Sequence, residues 1–397
     1  MSYIGSKPAD AVLETDDITD GVITTSKLAD NSVTTAKTSY FDAPFRNIII
    51  NGDYSIFQRG DTVTGVTDQV YSAPDRWKTQ IFSTAVFTIS KSTDVPSGQG
   101  FASSCKWDCT TANASPSATT FMIHEQRIEG QNIQYLEYGT SSAKSLTASF
   151  WVKSNKTGAY TVGLYSVDGS RHIESSYTIS TANTWEKKII TFAGDTAGTI
   201  NNDNGEGLRL WFHLGAGSNW SSGTHATTWS DYAQADVLVD NQVNLADSTS
   251  NEWLVTGVQL EAGTTASDFE FLPYDVNLRR CYRYYWGWWD KADAGVNATA
   301  GGLAVMYTSA ILYVSGFFPV TMRATPSLDQ ASGTNYYTFY RNGAADNFDD
   351  FTLQGSGRTN KNGYEMNNST DISGTAGQAG FIRCNNVNAY IFFDAEL

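Results

Sequence analysis

Tryptophan and tyrosine set among small polar residues are the side chains of this sequence best suited to recognition chemistry. Trp211, Trp220, Trp229 and Tyr232 lie close together, the last three among Gly, Ser, Asn and Thr. An indole or phenol face accepts the apolar C–H face of a sugar ring, while neighbouring Asn, Asp and Ser bond to its hydroxyls. The same loops could instead fold back and use these rings as local cores. A second concentration runs from Tyr282 to Trp289. Strand alternation puts Tyr282, Tyr284, Trp286 and Trp288 on one face and Arg283, Tyr285 and Trp289 on the other. Aromatics on both faces suit a strand packed between layers, with the Trp288-Trp289 end running towards a loop. Tyr336, Tyr337, Tyr340 and Tyr364 stand in the Gly/Asn-rich stretches 333–346 and 355–370, which read as exposed, adaptable loops. The candidate glycan contacts are therefore Trp220, Trp229, Tyr232, Trp288, Trp289, Tyr336, Tyr337 and Tyr340.

Catalytic constellations are weak by comparison. Glu125 and Glu129 would share one strand face about 13 Å apart at ~3.3 Å per residue. Glycosidase carboxylates sit closer, at roughly 5–9.5 Å, so these two read as solvent-face acids with Arg127 between them. His124, His172, His213 and His225 form no His-Glu-x-x-His pattern, and Gly205-Glu-Gly207 and Gly215-Ala-Gly217 lack the Lys-Ser/Thr of a phosphate cradle. No Gly-x-Ser-x-Gly elbow leads into a helix. The expectation is a chain that is not an enzyme.

The elements that must carry these residues are extended. Ala85–Lys91, Lys144–Lys153, Tyr160–Tyr165, Asn183–Phe192, Leu208–Leu214 and Trp253–Glu261 read as strands, and Asn47–Asp53 as an apolar run closed by an Asn51-Gly52 turn. In the second of these Leu146, Ala148, Phe150 and Val152 form one face, Ser145, Thr147, Ser149 and Trp151 the other. Short strands with turn punctuation and little helical periodicity predict a mainly β protein built on a β-sandwich. The composition breaks at Glu261–Asp268, and a second β-rich block begins near Asp275. The predicted domains are 1–40, 41–273 and 274–397.

Charge excludes some partners. Lys+Arg 26 against Asp+Glu 41 gives a net charge of −15, which opposes an electrostatic grip on nucleic acid or anionic lipid. Charged residues are 17% of the chain, below the ~25% of typical domains, while Gly, Thr, Ser and Asn abound. No apolar run is long enough for a membrane span or signal peptide. Cys105 and Cys109 are close enough in sequence to pair or share a metal, but no second close pair or histidine completes a zinc pattern, and with Cys281 and Cys384 they read as reduced structural thiols of a protein made in a cytoplasm.

The amino terminus carries a tandem repeat, Asp20-Gly-Val-Ile-Thr-Thr-Ser-Lys27 and Asp30-Asn-Ser-Val-Thr-Thr-Ala-Lys37. One strongly apolar position per copy, Ile23 or Val33, buries too little surface to offset backbone entropy. Parallel copies of the same chain would supply the missing walls, so residues 1–40 are read as an attachment and trimerisation stem, with Tyr3, Ile4, Ile23 and Val33 its contacts. The alternative is a disordered Ser/Thr-rich leader.

Several segments, taken in order, resemble bacteriophage tail fibre proteins: Asn47–Gly60 (NIIINGDYSIFQRG), Asp75-Arg-Trp77, Ser149–Ser154 (SFWVKS), Thr256–Gly263 (TGVQLEAG), Cys281–Tyr285 (CYRYY), Phe318–Arg323 (FPVTMR) and the terminal Phe393–Leu397 (FDAEL). Each motif is weak alone; their succession carries the likeness. The central block is also similar to carbohydrate-binding jelly-roll modules, in which a strand such as Val237–Asn241 closes the sandwich. That likeness implies a structural calcium ion with Asn51, Asp53, Asp240 and Glu261 as oxygen donors; the other reading makes Asn51 and Asp53 a hairpin turn and the acids solvated. The resemblance implies a virion-located homotrimer, docked on the tail or another virion protein through its amino terminus and bound to a host-surface carbohydrate, without nucleic acid or membrane insertion. Capsid decoration, a head fibre and a polysaccharide-cleaving tailspike are the alternatives; the last is usually a long β-helix, for which the sequence shows no repeat.

Overall fold

Apolar residues at every second position are what build this molecule. The computed structural model describes residues 45–289, 300–355 and 357–397. The predicted stem, with Tyr3, Ile4, Ile23 and Val33, lies outside the described residues.

Thirteen strands form the first lobe. They are β1 (Thr62–Val66), β2 (Val70–Tyr71), β3 (Trp77–Phe82), β4 (Val86–Ser92), β5 (Ser104–Thr111), β6 (Phe121–Glu129) and β7 (Leu146–Ser154). They continue as β8 (Gly158–Ser166), β9 (Arg171–Ile179), β10 (Glu186–Phe192), β11 (Glu206–Ala216), β12 (Ser230–Asp231) and β13 (Glu252–Ala262). A six-stranded sheet has the order β1-β4-β5-β13-β7-β10; a seven-stranded sheet has the order β12-β9-β8-β11-β6-β3-β2. Leu146, Ala148, Phe150 and Val152 of the first face Leu208, Leu210, Phe212 and Leu214 of the second in one buried core. This is the β-sandwich that the alternation predicted.

The second lobe opens with a helix, α1 (Tyr274–Tyr282), and continues through β14 (Tyr285–Trp289), β15 (Ala300–Thr308), β16 (Ile311–Phe317), β17 (Ser327–Gln330) and β18 (Tyr337–Arg341). It ends with β19 (Ala344–Phe348), β20 (Thr352–Leu353), β21 (Gly363–Asn368), β22 (Ala379–Cys384) and β23 (Ile391–Asp394). A small sheet, β14-β23-β17, and a larger one, β19-β18-β22-β15-β16-β21-β20, enclose a separate core around Met306, Phe339, Phe348 and Phe393.

Three sequence expectations are corrected here. Residues 282–289 are not one strand: Tyr282 closes α1, which begins after an extended Pro273, has Asp275 in its first turn and Arg279 and Arg280 in its last, and hides Cys281, and β14 begins only at Tyr285. Proline and oppositely charged helix ends account for it. Stretches 333–346 and 355–370 hold strands β18, β19 and β21, and the β18–β19 hairpin turns on Asn342-Gly343, both at positive φ, the signature of a type I′ turn. Val237–Asn241 is not a strand, since Val237 and Leu238 instead bury themselves against the outer side of the seven-stranded sheet.

Ionic and hydrogen bonds join the lobes. Arg59 lies 3.5 Å from Asp75, 3.5 Å from Asp394 and 3.4 Å from Glu396, and Arg76 pairs with Glu396 while stacking 3.4 Å over Tyr284. Arg323 donates to the carbonyls of Ala395, Glu396 and Asn204. All four cysteines are buried and unpaired.

Candidate functional site

On the seven-stranded sheet, residues alternating with the core set face outward. Register places them in ladders across the strands. Lys78, Glu125, Trp211, Gly163 and Glu174 form one. Arg127, Arg209, Tyr165, His172 and Ser230 form the next. Tyr165 lies flat on Trp211, ring centroids 5.4 Å apart at 22°, and Tyr232 meets Tyr165 edge-on at 5.0 Å. Trp211 is the buried floor, and Tyr165 and Tyr232 are the half-buried rings above it.

Charge surrounds these rings. Arg209 lies 5.3 Å from the Tyr165 centroid and binds Glu206 at 2.7 Å and Glu125 at 3.3 Å. Arg127 binds Glu125 at 2.8 Å and Glu206 at 3.3 Å. Two guanidinium groups and two carboxylates thus form a closed square beside a flat aromatic surface. Lys78 flanks it, its pKa lowered by burial and by Arg127.

Beneath lies a buried acid. Trp211 Nε1 donates to Glu174 at 3.2 Å, and His172 Nδ1 contacts the same carboxyl group at 3.1 Å. Burial raises the Glu174 pKa well above its ordinary value and lowers that of His172. Gly163 makes room for the acid: a Cβ there would fall 1.7 Å from the Glu174 carboxylate and 2.7 Å from the indole nitrogen. The ordered floor holds Tyr165 level. Chemically, such a face can stack an apolar ring face, accept hydroxyl hydrogen bonds at Glu206, and donate from Arg209, while the buried Glu125 holds both arginines in place. Bonds to charged groups are worth ~1.5–3 kcal/mol each.

The predicted aromatic contacts divide. Tyr232 belongs to this face. Trp220 does not offer its ring to solvent: at 7% exposure it packs on Phe121 and His213 as part of a small core with Val237 and Leu238. Trp229 is half-buried against the sandwich, with Nε1 donating to the Ala193 carbonyl. Trp289 and Tyr337 are buried in the second core, stacked on one another, which removes both from any ligand. Trp288 stacks on Trp289 at 4.9 Å, Tyr336 packs against the same core, and Tyr340 lies half-buried beneath Arg383. Tyr165 and Arg209 were missed. Alternation in 160–165 and 208–214 puts both opposite the core set, but only register makes them neighbours.

The calcium donors do not converge. Asn51 bonds to the backbone of Ile56 and Asp75; Asp53 accepts from Ser55 and Asn277. Glu261 accepts from Ser267 and Gln259, while Asp240 stands exposed in a turn. Among the described residues no three acidic, His or Cys side chains form a metal-holding group. Asn51, Asp53 and Glu261 serve loop structure, because protein donors already occupy their oxygens. Glu125 and Glu129 share a face as expected, but neither is solvated: Glu125 is fully buried beside Arg127 and Arg209, and Glu129 beside Arg283 and Tyr284.

No family model matches the chain, and no curated protein matches it. Similar solved structures include the enzymatically active domain of tailspike protein 4 of bacteriophage CBA120, 14% identical over 55% of this chain and 22% of that chain, with a TM-score of 0.31. This chain therefore spans less than a quarter of the tailspike structure. A putative sugar binding protein from Bacteroides thetaiotaomicron is 12% identical over 54% of this chain and 99% of its own, TM-score 0.31. A family 11 carbohydrate-binding module from Clostridium thermocellum, solved with a β-1,3-1,4-mixed-linked tetrasaccharide, is 13% identical over 52% and 98%, TM-score 0.27.

Proposed function

We propose that this chain is a non-enzymatic attachment protein of a phage virion, a tail fibre that binds a glycan on the host surface. The stem of residues 1–40 docks the virion and assembles three chains; the sandwich binds sugar; the second β lobe extends the contact. The observation that carries the glycan reading is the Tyr165–Trp211–Tyr232 group beside the Arg127–Glu125–Arg209–Glu206 square, aromatic surface joined to fixed donors and acceptors. The order of the resembling segments supports the tail fibre role. A single weak site of about −4 kcal/mol, near millimolar, becomes firm attachment when several copies engage one surface.

The test is binding of the full chain to immobilised host-surface polysaccharide. The double variant Tyr165→Ala, Tyr232→Ala should weaken binding about tenfold or more while the far-ultraviolet spectrum stays unchanged. Undiminished binding would remove the face from the reading. Release of oligosaccharides from the same polysaccharide would overturn the non-enzymatic assignment.

A further inference from the structure

A cavity of about 430 Å³ opens where the end of β6, the turns at 130–136 and helix α1 meet. Its wall carries Arg76, Arg127, Arg280 and Arg283, against one carboxylate, Glu129. In a chain of net charge −15 this is a reversal of sign. Three of the four cations are neutralised within the fold: Arg76 by Glu396, Arg127 by Glu125 and Glu206, Arg283 by Glu129. Arg280 is not. Among the described residues it has no carboxylate in ion-pair reach, and its one direct bond is from Nη2 to the Asn47 carbonyl at 3.3 Å. The carboxylate whose charge reaches it, Glu270, spends its hydrogen bonds on the backbone amides of Phe45 and Asn47. Burial lowers the Arg280 pKa, the mark of a charge short of compensation. A guanidinium with free N–H groups in a cavity is a fork for carboxylate or phosphate oxygens. Tyr135, 46% exposed, also lines the cavity, with Lys144 5.9 Å from its ring.

We propose that this cavity takes the anionic group of an acidic sugar, a uronate carboxylate or a sugar phosphate, on Arg280, with the sugar ring against Tyr135. The assignment rests on the glycan reading above and gives the chemical class of one of its sugars. Arg127 borders both this cavity and the Tyr165 face, but the chemistry differs, because charge pairing dominates here and stacking dominates there.

Calorimetric titration of the full chain with D-galacturonate, D-galactose, α-D-glucose 1-phosphate, D-glucose and inorganic phosphate tests it. At least one acidic sugar should bind about tenfold more tightly than its neutral counterpart, and which one does so separates uronate from phosphate. Arg280→Gln should abolish that preference, Arg280→Lys should restore part of it, and added salt should weaken it. Equal binding of acidic and neutral sugars, no acidic sugar bound at millimolar concentration, or a preference intact in Arg280→Gln each overturns the proposal. So does inorganic phosphate binding as tightly as every acidic sugar, which would leave an anion site without sugar recognition. Any of these results alongside retained polysaccharide binding by the unaltered chain sinks the acidic-sugar assignment and leaves the outer-face reading standing.

Discussion

His213 sits against Trp211 at 4.9 Å and Trp220 at 5.8 Å, and neither of its ring nitrogens has a hydrogen-bond partner among the described residues. Burial pulls its pKa down to about 3, and does the same for His124. At His124 the bonding is arranged for the same neutral ring. The Trp107 indole can only donate, so Nδ1 accepts and Nε2–H faces the Tyr54 hydroxyl; a second ring proton would break the Trp107 bond. A histidine whose folded pKa lies below its unfolded value of ~6.5 contributes stability that is full above that value and is lost as pH falls towards the folded value. Glu174, raised by burial, and Asp75, raised to about 6 by burial, act in the opposite direction, so wild-type curves alone would blur the effect. The difference between His213→Leu and wild type isolates it. Urea unfolding should show the variant gaining about 2 kcal/mol more at pH 5 than at pH 7.5. A pH-independent difference would mean that the ring is charged or hydrated in the folded protein.

At the scale of elements, the end of β6 and the end of α1 are held together by one acid. Glu129 is fully buried and accepts from Arg283 at 2.7 and 2.6 Å, from Tyr284 and from Gln131. Burial alone would push its pKa up, but the bonds from Arg283 and Tyr284 prevail and hold the carboxyl below its usual range. The stability it contributes is therefore present above the unfolded value of ~4.5 and lost below it. Arg283→Ala should leave that charge without its main partner and cost about 3–5 kcal/mol by urea unfolding at pH 7. A loss under about 1 kcal/mol would show that Tyr284 and Gln131 suffice. The helix was hidden in the sequence because its aromatic and basic residues also fit a strand. The Asn342-Gly343 dipeptide is a hairpin signal, but its glycine-rich surroundings fit an exposed loop equally well.

For the whole molecule, the two main cores are joined by the Arg59, Arg76 and Arg323 contacts and by a small apolar cluster of Ile50, Ile56, Cys281 and Tyr284. Arg323 ties the carboxyl-terminal segment to the Asn204 loop of the sandwich, and Asn204 Nδ2 donates back to the Arg323 carbonyl. Arg323→Ala should uncouple the lobes, so that calorimetry records two transitions where the wild type gives one. A single transition in the variant would place the coupling elsewhere, in the Arg59 and Arg76 network. Assembly belongs to this scale as well. Mass measurement of the full chain in solution should give three times 43.3 kDa, and a stable monomer would contradict the proposed trimer.

Alternation of apolar and polar residues determined the strands of the sandwich, as in Leu146–Val152, because a half-buried strand must alternate whatever its neighbours are. Charge and composition likewise set the partners to be expected. Neither could fix register or cover. Only pairing placed Tyr165 beside Arg209 and Trp211, since hydrogen-bond register brings together residues more than forty positions apart. Only packing decided that Trp220, Trp289 and Tyr337 are interior while Tyr232 is not, because an aromatic ring on a glycine-rich segment carries no local signal of which surface it will meet. The arginine-lined cavity depends still more on tertiary structure: its cations come from β6, from α1 and the residue that caps it, and from the turn before β3, and their charges converge only when the lobes pack on one another.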